Sequence, residues 1–295
     1  MPTNEQRRAT AKRKLDRQLE RRAALEKRKR LFTIIGAAAG AILVVVAVVA
    51  TVIVTNRDSG STTASASTTT TTTSSAFDTP APGETPPLPA FAAPAGLGAD
   101  CQYPAAQAAS KTVNPPRTGQ VPTEPAQVSA SMSTNQGNIG LQLDNGKAPC
   151  TVNSFASLAQ QGYFNDTPCH RLTTGGLAVL QCGDPTGQGT GGPGYEFANE
   201  YPTNQYQPDD PALAQPVLYP RGTLAMANAG AGTNGSQFFL VYKDSQLPPN
   251  YTVFGTIDET GLATLDKIAA AGTADGASDG APKSEVKITQ LQLDP

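Results

Sequence analysis

Tryptophan is absent from the 295-residue chain, and histidine occurs once, as His170. The four cysteines, Cys101, Cys150, Cys169 and Cys182, contain no Cys-x-x-Cys pair. With a single histidine beside them, they offer no spacing suited to a tetrahedral zinc centre. Charged residues make up only 16% of the chain, and the net charge of −2 conceals a strong asymmetry. Residues 1–30 hold 12 Lys/Arg and 4 Asp/Glu, hence +8; the remainder holds 10 and 20, hence −10. Beyond the amino terminus there is no basic excess with which to grip a phosphate backbone, so nucleic acid is not expected as a ligand. The glycine run at residues 183–194 (GDPTGQGTGGPG) lacks lysine and is not followed by a helical pattern, which excludes a nucleotide phosphate loop.

What is present divides the chain into four. Residues 1–30 are basic and rich in helix formers, with no sustained apolar stripe. Residues 31–55 contain no charged side chain over 25 positions, enough to span a bilayer as a tilted helix. The run exceeds the 7–15 apolar residues usual in a cleavable signal peptide, and no cysteine follows at a lipobox position. It reads as an uncleaved signal anchor. The charge asymmetry keeps the basic tail in the cytoplasm and puts everything after the span outside. Residues 56–125 are rich in Thr, Ser, Pro and Ala and read as a disordered stalk and linker, because little apolar area is available to offset ordering entropy.

From residue 126 the pattern changes to alternation. Val128, Ala130 and Met132 alternate with serine, Asn135 to Asn138 turn, and Ile139, Leu141 and Leu143 alternate again, which is a hairpin with one buried face. Val152, Phe155, Leu158 and Ala159 recur at helical spacing over residues 149–161, with Gly162 as the stop. Six further short strands are expected at residues 169–173, 178–183, 222–227, 237–242, 252–256 and 286–293, and a second helix at 261–271. Many strands with two helices suit a closed antiparallel barrel, which leaves no sheet edge open.

For an exported domain, at least one disulfide is expected, with Cys101 latching the linker to the domain. Four cysteines allow three full pairings. Strand parity places Cys169 on the face of Arg171 and Cys182 on the opposite face, which argues against a Cys169–Cys182 bridge.

Three blocks, CHRLTTGGLAVLQCGDPTGQGTGGPGYEF (169–197), RGTLAMANAGAGTNGSQFFL (221–240) and YTVFG (251–255), resemble in chain order the cyclophilins, the peptidyl-prolyl cis/trans isomerases. The resemblance covers roughly residues 126–294. It implies an eight-stranded barrel capped by helices, isomerase activity without a cofactor, and proline-containing polypeptides as substrates. The layout also resembles the membrane-anchored cyclophilins of high-GC Gram-positive bacteria, which implies exported clients and an extracytoplasmic domain.

The reaction itself dictates what the site needs. Rotation about X-Pro faces a barrier of ~18–20 kcal/mol because amide resonance must be broken, and no covalent step is required. In the twisted amide the proline nitrogen regains a lone pair that can accept a hydrogen bond. Arg171, charged at any working pH, fits the donor, and it matches the family's catalytic arginine. Gln181 stands ten positions on across a turn, so paired strands put it on the same face to orient the guanidinium. The resemblance adds Asn228 and Phe239 to this catalytic set. It places Val179, Ala227, Gln237, Leu247 and Tyr251 around the substrate, and the turn-dense glycine run would let the substrate backbone approach near Gly189 and Thr190. Phe238 is expected to fill the core while Phe239 faces the cleft. His170 is read as a satisfied buried histidine without a catalytic role.

The chain departs from the family pattern in several places. Two extra residues separate Arg171 from Gln181, and Leu177 or Ala178 stands where phenylalanine is common. Gln246 replaces a frequent tryptophan and Tyr251 a frequent histidine. The missing indole donor argues against tight cyclosporin binding. The altered wall also leaves a different class open: a polypeptide-binding or chaperone module at the cell surface with weak catalysis.

Overall fold

A computed structural model describes residues 85–295. The basic tail, the apolar run at 31–55 and the first part of the stalk lie outside these residues. Among the described residues no helix is long and apolar enough to cross a membrane.

The chain opens its sheet with the expected hairpin, β1 (Val128–Thr134) and β2 (Gly137–Leu143), paired from Val128↔Leu143 to Thr134↔Gly137. Ala130, Met132, Ile139, Leu141 and Leu143 are buried and their alternates are not, as period two requires, whereas Val128, at the open end of the hairpin, is only half-buried. Helix α1 (Pro149–Gln160) follows and buries Val152, Phe155, Leu158 and Ala159. Then come β3 (Thr167–Pro168), β4 (Arg171–Thr173), β5 (Val179–Cys182), β6 (Val217–Tyr219), β7 (Thr223–Met226), β8 (Phe238–Val241), β9 (Ser245–Leu247) and β10 (Val253–Ile257). Helix α2 (Glu259–Ala271), β11 (Asp279–Gly280) and β12 (Lys287–Leu293) complete the chain. Asp258 caps α2 by accepting from the Gly261 amide, and Gly272 ends it at φ 78°.

The main sheet runs β11-β4-β5-β8-β7-β10-β2-β1-β12-β3. The eight strands expected from the sequence all have counterparts in it, but it holds ten, because β3 and β11 add two residues each. The ladder is interrupted where closure was expected. β3 pairs only with β12, and β4 pairs with β5 and β11. Since β3 and β4 are halves of one bent segment, the sheet curls round on itself with its seam at Cys169-His170. Pro168 has no amide hydrogen to carry the ladder on.

That bend overturns the parity argument about the cysteines. Cys169 precedes β4 and gives its amide to Val286 O, so it does not share the alternation of Arg171. It bonds to Cys182 across 4.0 Å of Cα separation, and Cys101 bonds to Cys150. The described chain has no free cysteine.

A second correction concerns the stalk. Residues 85–125, assigned to it by composition, pack on the domain. Cys101, Tyr103 and Val121 are buried, and Cys101 pairs with Gly119. Lys111 Nζ donates to the carbonyls of Gly162, Tyr163 and Asn165 at 3.0, 3.2 and 2.9 Å. Earlier still, Pro87 bridges Leu218 of β6 in parallel, and the Tyr201 hydroxyl donates to Pro89 O at 2.7 Å. Polar, proline-rich composition hid a strap held by a disulfide, a few apolar anchors and side-chain hydrogen bonds rather than by a ladder.

Two apolar clusters lie on opposite faces of the curled sheet. The larger fills its interior, where Phe155 packs against Phe164, Phe238 and Phe254. The smaller, on the outer face, gathers Val179, Val217, Tyr219, Ala225, Phe239 and Val241.

Candidate active site

The site lies on the outer face of β4, β5, β8 and β7. Register places Arg171 opposite Gln181, Gln181 opposite Phe239, and Phe239 opposite Ala225. In a regular antiparallel ladder, directly opposed residues share a face, so this row crosses four strands as one surface. The alternate row, with Leu172, Leu180, Phe238 and Leu240, points inward. Phe238 and Phe239 therefore divide between the interior and the outer cluster, as alternation predicts.

Arg171 is half exposed, and its guanidinium is held on two sides. Nε and Nη2 donate to Asp279 Oδ1 and Oδ2 at 2.8 and 2.7 Å, and Nη1 reaches Gln181 Oε1 at 3.3 Å. The chain of bonds continues. Gln181 Nε2 donates to Gln237 Oε1 at 2.9 Å, and Gln237 Nε2 to Gly191 O at 3.0 Å. The hydrogen bond and charge of Asp279 push the Arg171 pKa up, and Arg171 in turn holds the Asp279 carboxyl below its usual range.

Around Phe239 stands the apolar wall. Tyr251 meets its ring edge-on at 5.7 Å, and Val179, Leu247 and Ala227 belong to or pack on the same cluster. Asn228 Nδ2 donates to Asn250 O at 2.9 Å and Asn234 Oδ1 at 3.2 Å, so its side chain braces the loop carrying Tyr251. The Ala227 amide bonds to Gln237 O at 2.9 Å. Gly189 and Thr190 line a hollow of about 320 Å³ together with Gln181, Ala227, Asn228 and Gln237. Ten of the eleven residues singled out in the sequence thus belong to the cluster around Phe239 or line this adjoining hollow, and Arg171 joins them through Gln181.

Asp184, fully buried, organises the glycine-rich rim by accepting from the Thr186, Thr190 and Gly191 amides at 2.8, 3.0 and 3.0 Å. His170 differs from expectation. Its two ring nitrogens are buried and lack a hydrogen-bond partner among the described residues, and desolvation lowers its pKa. Among the described residues no three His, Cys, Asp or Glu side chains converge as a metal site would need.

Residues 129–293 match the family described as "Cyclophilin type peptidyl-prolyl cis-trans isomerase/CLD". The chain belongs to the cyclophilins. It is 68% identical, over the full length of both chains, to a protein of Mycobacterium leprae named probable peptidyl-prolyl cis-trans isomerase B. A protein of Mycobacterium tuberculosis with the same name is 70% identical over all of this chain and 95% of its own. A cyclophilin structure from Cryptosporidium parvum, solved in the presence of the dipeptide Ala-Pro, aligns over 57% of this chain and 99% of its own. There the identity is 29% and the TM-score 0.46.

This cyclophilin is a peptidyl-prolyl cis/trans isomerase, and two parts of its cleft escaped sequence reasoning. One is the small sheet formed by β6 and β9, with Val217↔Leu247 and Tyr219↔Ser245. It backs the apolar wall, and the Tyr219 hydroxyl donates toward Tyr251 O at 3.0 Å. Its first strand, β6, has three residues and is too short to register as alternation. The other is Asp279, whose only sequence signal is an Asp-Gly turn pair ahead of the last strand.

Proposed function

We propose that this isomerase lowers the barrier to X-Pro rotation non-covalently, with Arg171 donating to the proline nitrogen as the amide twists. The row Arg171, Gln181, Phe239 carries the reading: an unfailing donor beside an apolar floor, fixed by strand register. A ring seated on Phe239 against Tyr251, Leu247 and Val179 leaves its amide within the span of the neighbouring strands, whose spacing is about 4.8 Å. The flanking peptide runs along the rim at Gly189 and Thr190 and past Ala227 and Asn228. Only the twisted state needs the new hydrogen bond, so the interaction favours the transition state over either planar isomer.

The substrates are exported polypeptides, and the enzyme stands outside the membrane on an amino-terminal anchor. The uncharged run at residues 31–55, the basic flank before it and two disulfides in the described domain support that placement.

In a steady-state assay on an Ala-Pro peptide, Arg171→Ala lowers kcat/KM by about 100-fold through kcat, the scale of losing one transition-state donor. Its melting temperature stays near that of wild type, because a half-exposed ion pair stabilises little. Unchanged turnover would remove Arg171 from the mechanism. A second reading, a binding module with negligible turnover, has one observation in its favour: Gln246 is exposed and adds no apolar wall. Suppressed aggregation of an unfolded client with uncatalysed proline exchange would establish it instead.

A further inference from the structure

The grip on Arg171 is asymmetric, and that asymmetry assigns a role to a residue outside the catalytic row. A guanidinium has five N–H groups. Asp279 takes two, Nε–H and one on Nη2, and Gln181 takes one on Nη1. Two remain, one on each terminal nitrogen. The bidentate fork also fixes the plane in which those two lie, which a single acceptor cannot do.

The backbone under Asp279 is held against the strand it serves. β11 pairs with β4 through Asp279↔Thr173 and Gly280↔Leu172, and the Thr174 amide donates to Ser278 O at 2.8 Å. The turn closes on itself through Ala274 N to Ala281 O at 2.8 Å and Lys283 N to Gly272 O at 2.9 Å. Ala277 N donates to Asp275 Oδ1 at 3.1 Å. Donor and carboxylate therefore ride on one paired unit, although 108 residues separate them in sequence. Stability does not account for the pair: the side chains are 42% and 52% exposed, where an ion pair contributes little.

We propose that Asp279 is a positioning residue of this isomerase, holding the Arg171 guanidinium so that its two free N–H groups face the bound proline amide. The proposal rests on the donor role assigned to Arg171. Asp279 touches no substrate atom and acts through the arginine alone. A misoriented donor still binds planar substrate but meets the twisted nitrogen less often, so the effect falls on kcat.

The test compares the full wild-type chain with five variants: Asp279→Asn, Asp279→Ala, Asp279→Glu, Arg171→Ala and the double variant Arg171→Ala/Asp279→Ala. Asp279→Asn and Asp279→Ala are each expected to lose roughly tenfold in kcat with KM nearly unchanged, the scale of a misplaced catalytic group. Their melting temperatures stay within the wild-type range, and the Arg171 Nε–H resonance shifts and exchanges faster with solvent. Asp279→Glu recovers part of the loss. In the Arg171→Ala background, removing Asp279 has no further effect, as coupling through one residue requires. Wild-type kcat in both Asp279→Asn and Asp279→Ala, with Arg171→Ala still impaired, overturns the proposal alone. An unimpaired Arg171→Ala overturns the donor reading, and this proposal with it.

Discussion

At the residue scale, the cleft is a consequence of alternation. Arg171 and Gln181 share parity across a hairpin, and Phe238 and Phe239 separate because consecutive strand residues face opposite ways. Those relations were legible in the sequence. Asp279 was not, because its partner lies 108 residues away and no local pattern links them. His170 makes a separate prediction. Desolvation depresses its pKa, so below about pH 6.5 the unfolded chain takes up a proton that the folded chain resists. Stability present above that pH is lost as pH falls toward the folded pKa. Denaturant midpoints from about pH 7 to about pH 5.5 should drop, and His170→Leu should flatten the drop. Burial raises the Glu200 carboxyl, giving a slope of opposite sign, but Glu200 is common to both proteins, so their difference isolates the histidine. Equal slopes would remove His170 from the account.

At the element scale, the hairpin, both helices and the longer strands follow from periodicity in the sequence. The short elements do not. β6 and β9 have three residues each and β3 and β11 two, below the length at which alternation can be read. Parity failed at Cys169 for a related reason: it assumes an unbroken strand, and the chain bends after Pro168. The strap at residues 85–125 was missed because its order comes from a covalent link and isolated anchors. Glu200 adds a further nonlocal device. Ala148 offers α1 no side-chain cap, and the Glu200 carboxylate accepts instead from the Cys150 and Thr151 amides at 3.1 and 2.7 Å. The Cys101–Cys150 bridge spans 49 residues, and closing a loop of that size is worth about 4 kcal/mol in the chain-entropy picture. Cys101→Ser/Cys150→Ser should therefore melt several degrees lower in differential scanning calorimetry. A melting temperature matching wild type would mean that hydrogen bonds and packing alone hold the strap.

At the scale of the whole molecule, the packed strap extends the folded unit toward the amino terminus beyond the residue 126 read from the sequence. Pro87 bridges Leu218 and Pro89 O accepts from Tyr201, so the folded unit takes in chain well ahead of residue 126. Protease applied to intact spheroplasts should release the isomerase domain and leave an amino-terminal fragment ending before the packed strap. A domain protected until lysis would reverse the proposed orientation. The central claim, that Arg171 turns a proline-binding cleft into an isomerase, is tested most directly by exchange NMR on a proline peptide. With the full chain at catalytic concentration, wild type should produce cis/trans exchange cross-peaks. Arg171→Ala should lose them while still shifting the peptide resonances on binding. Persistent exchange in that variant, or binding without exchange in wild type, would contradict the account.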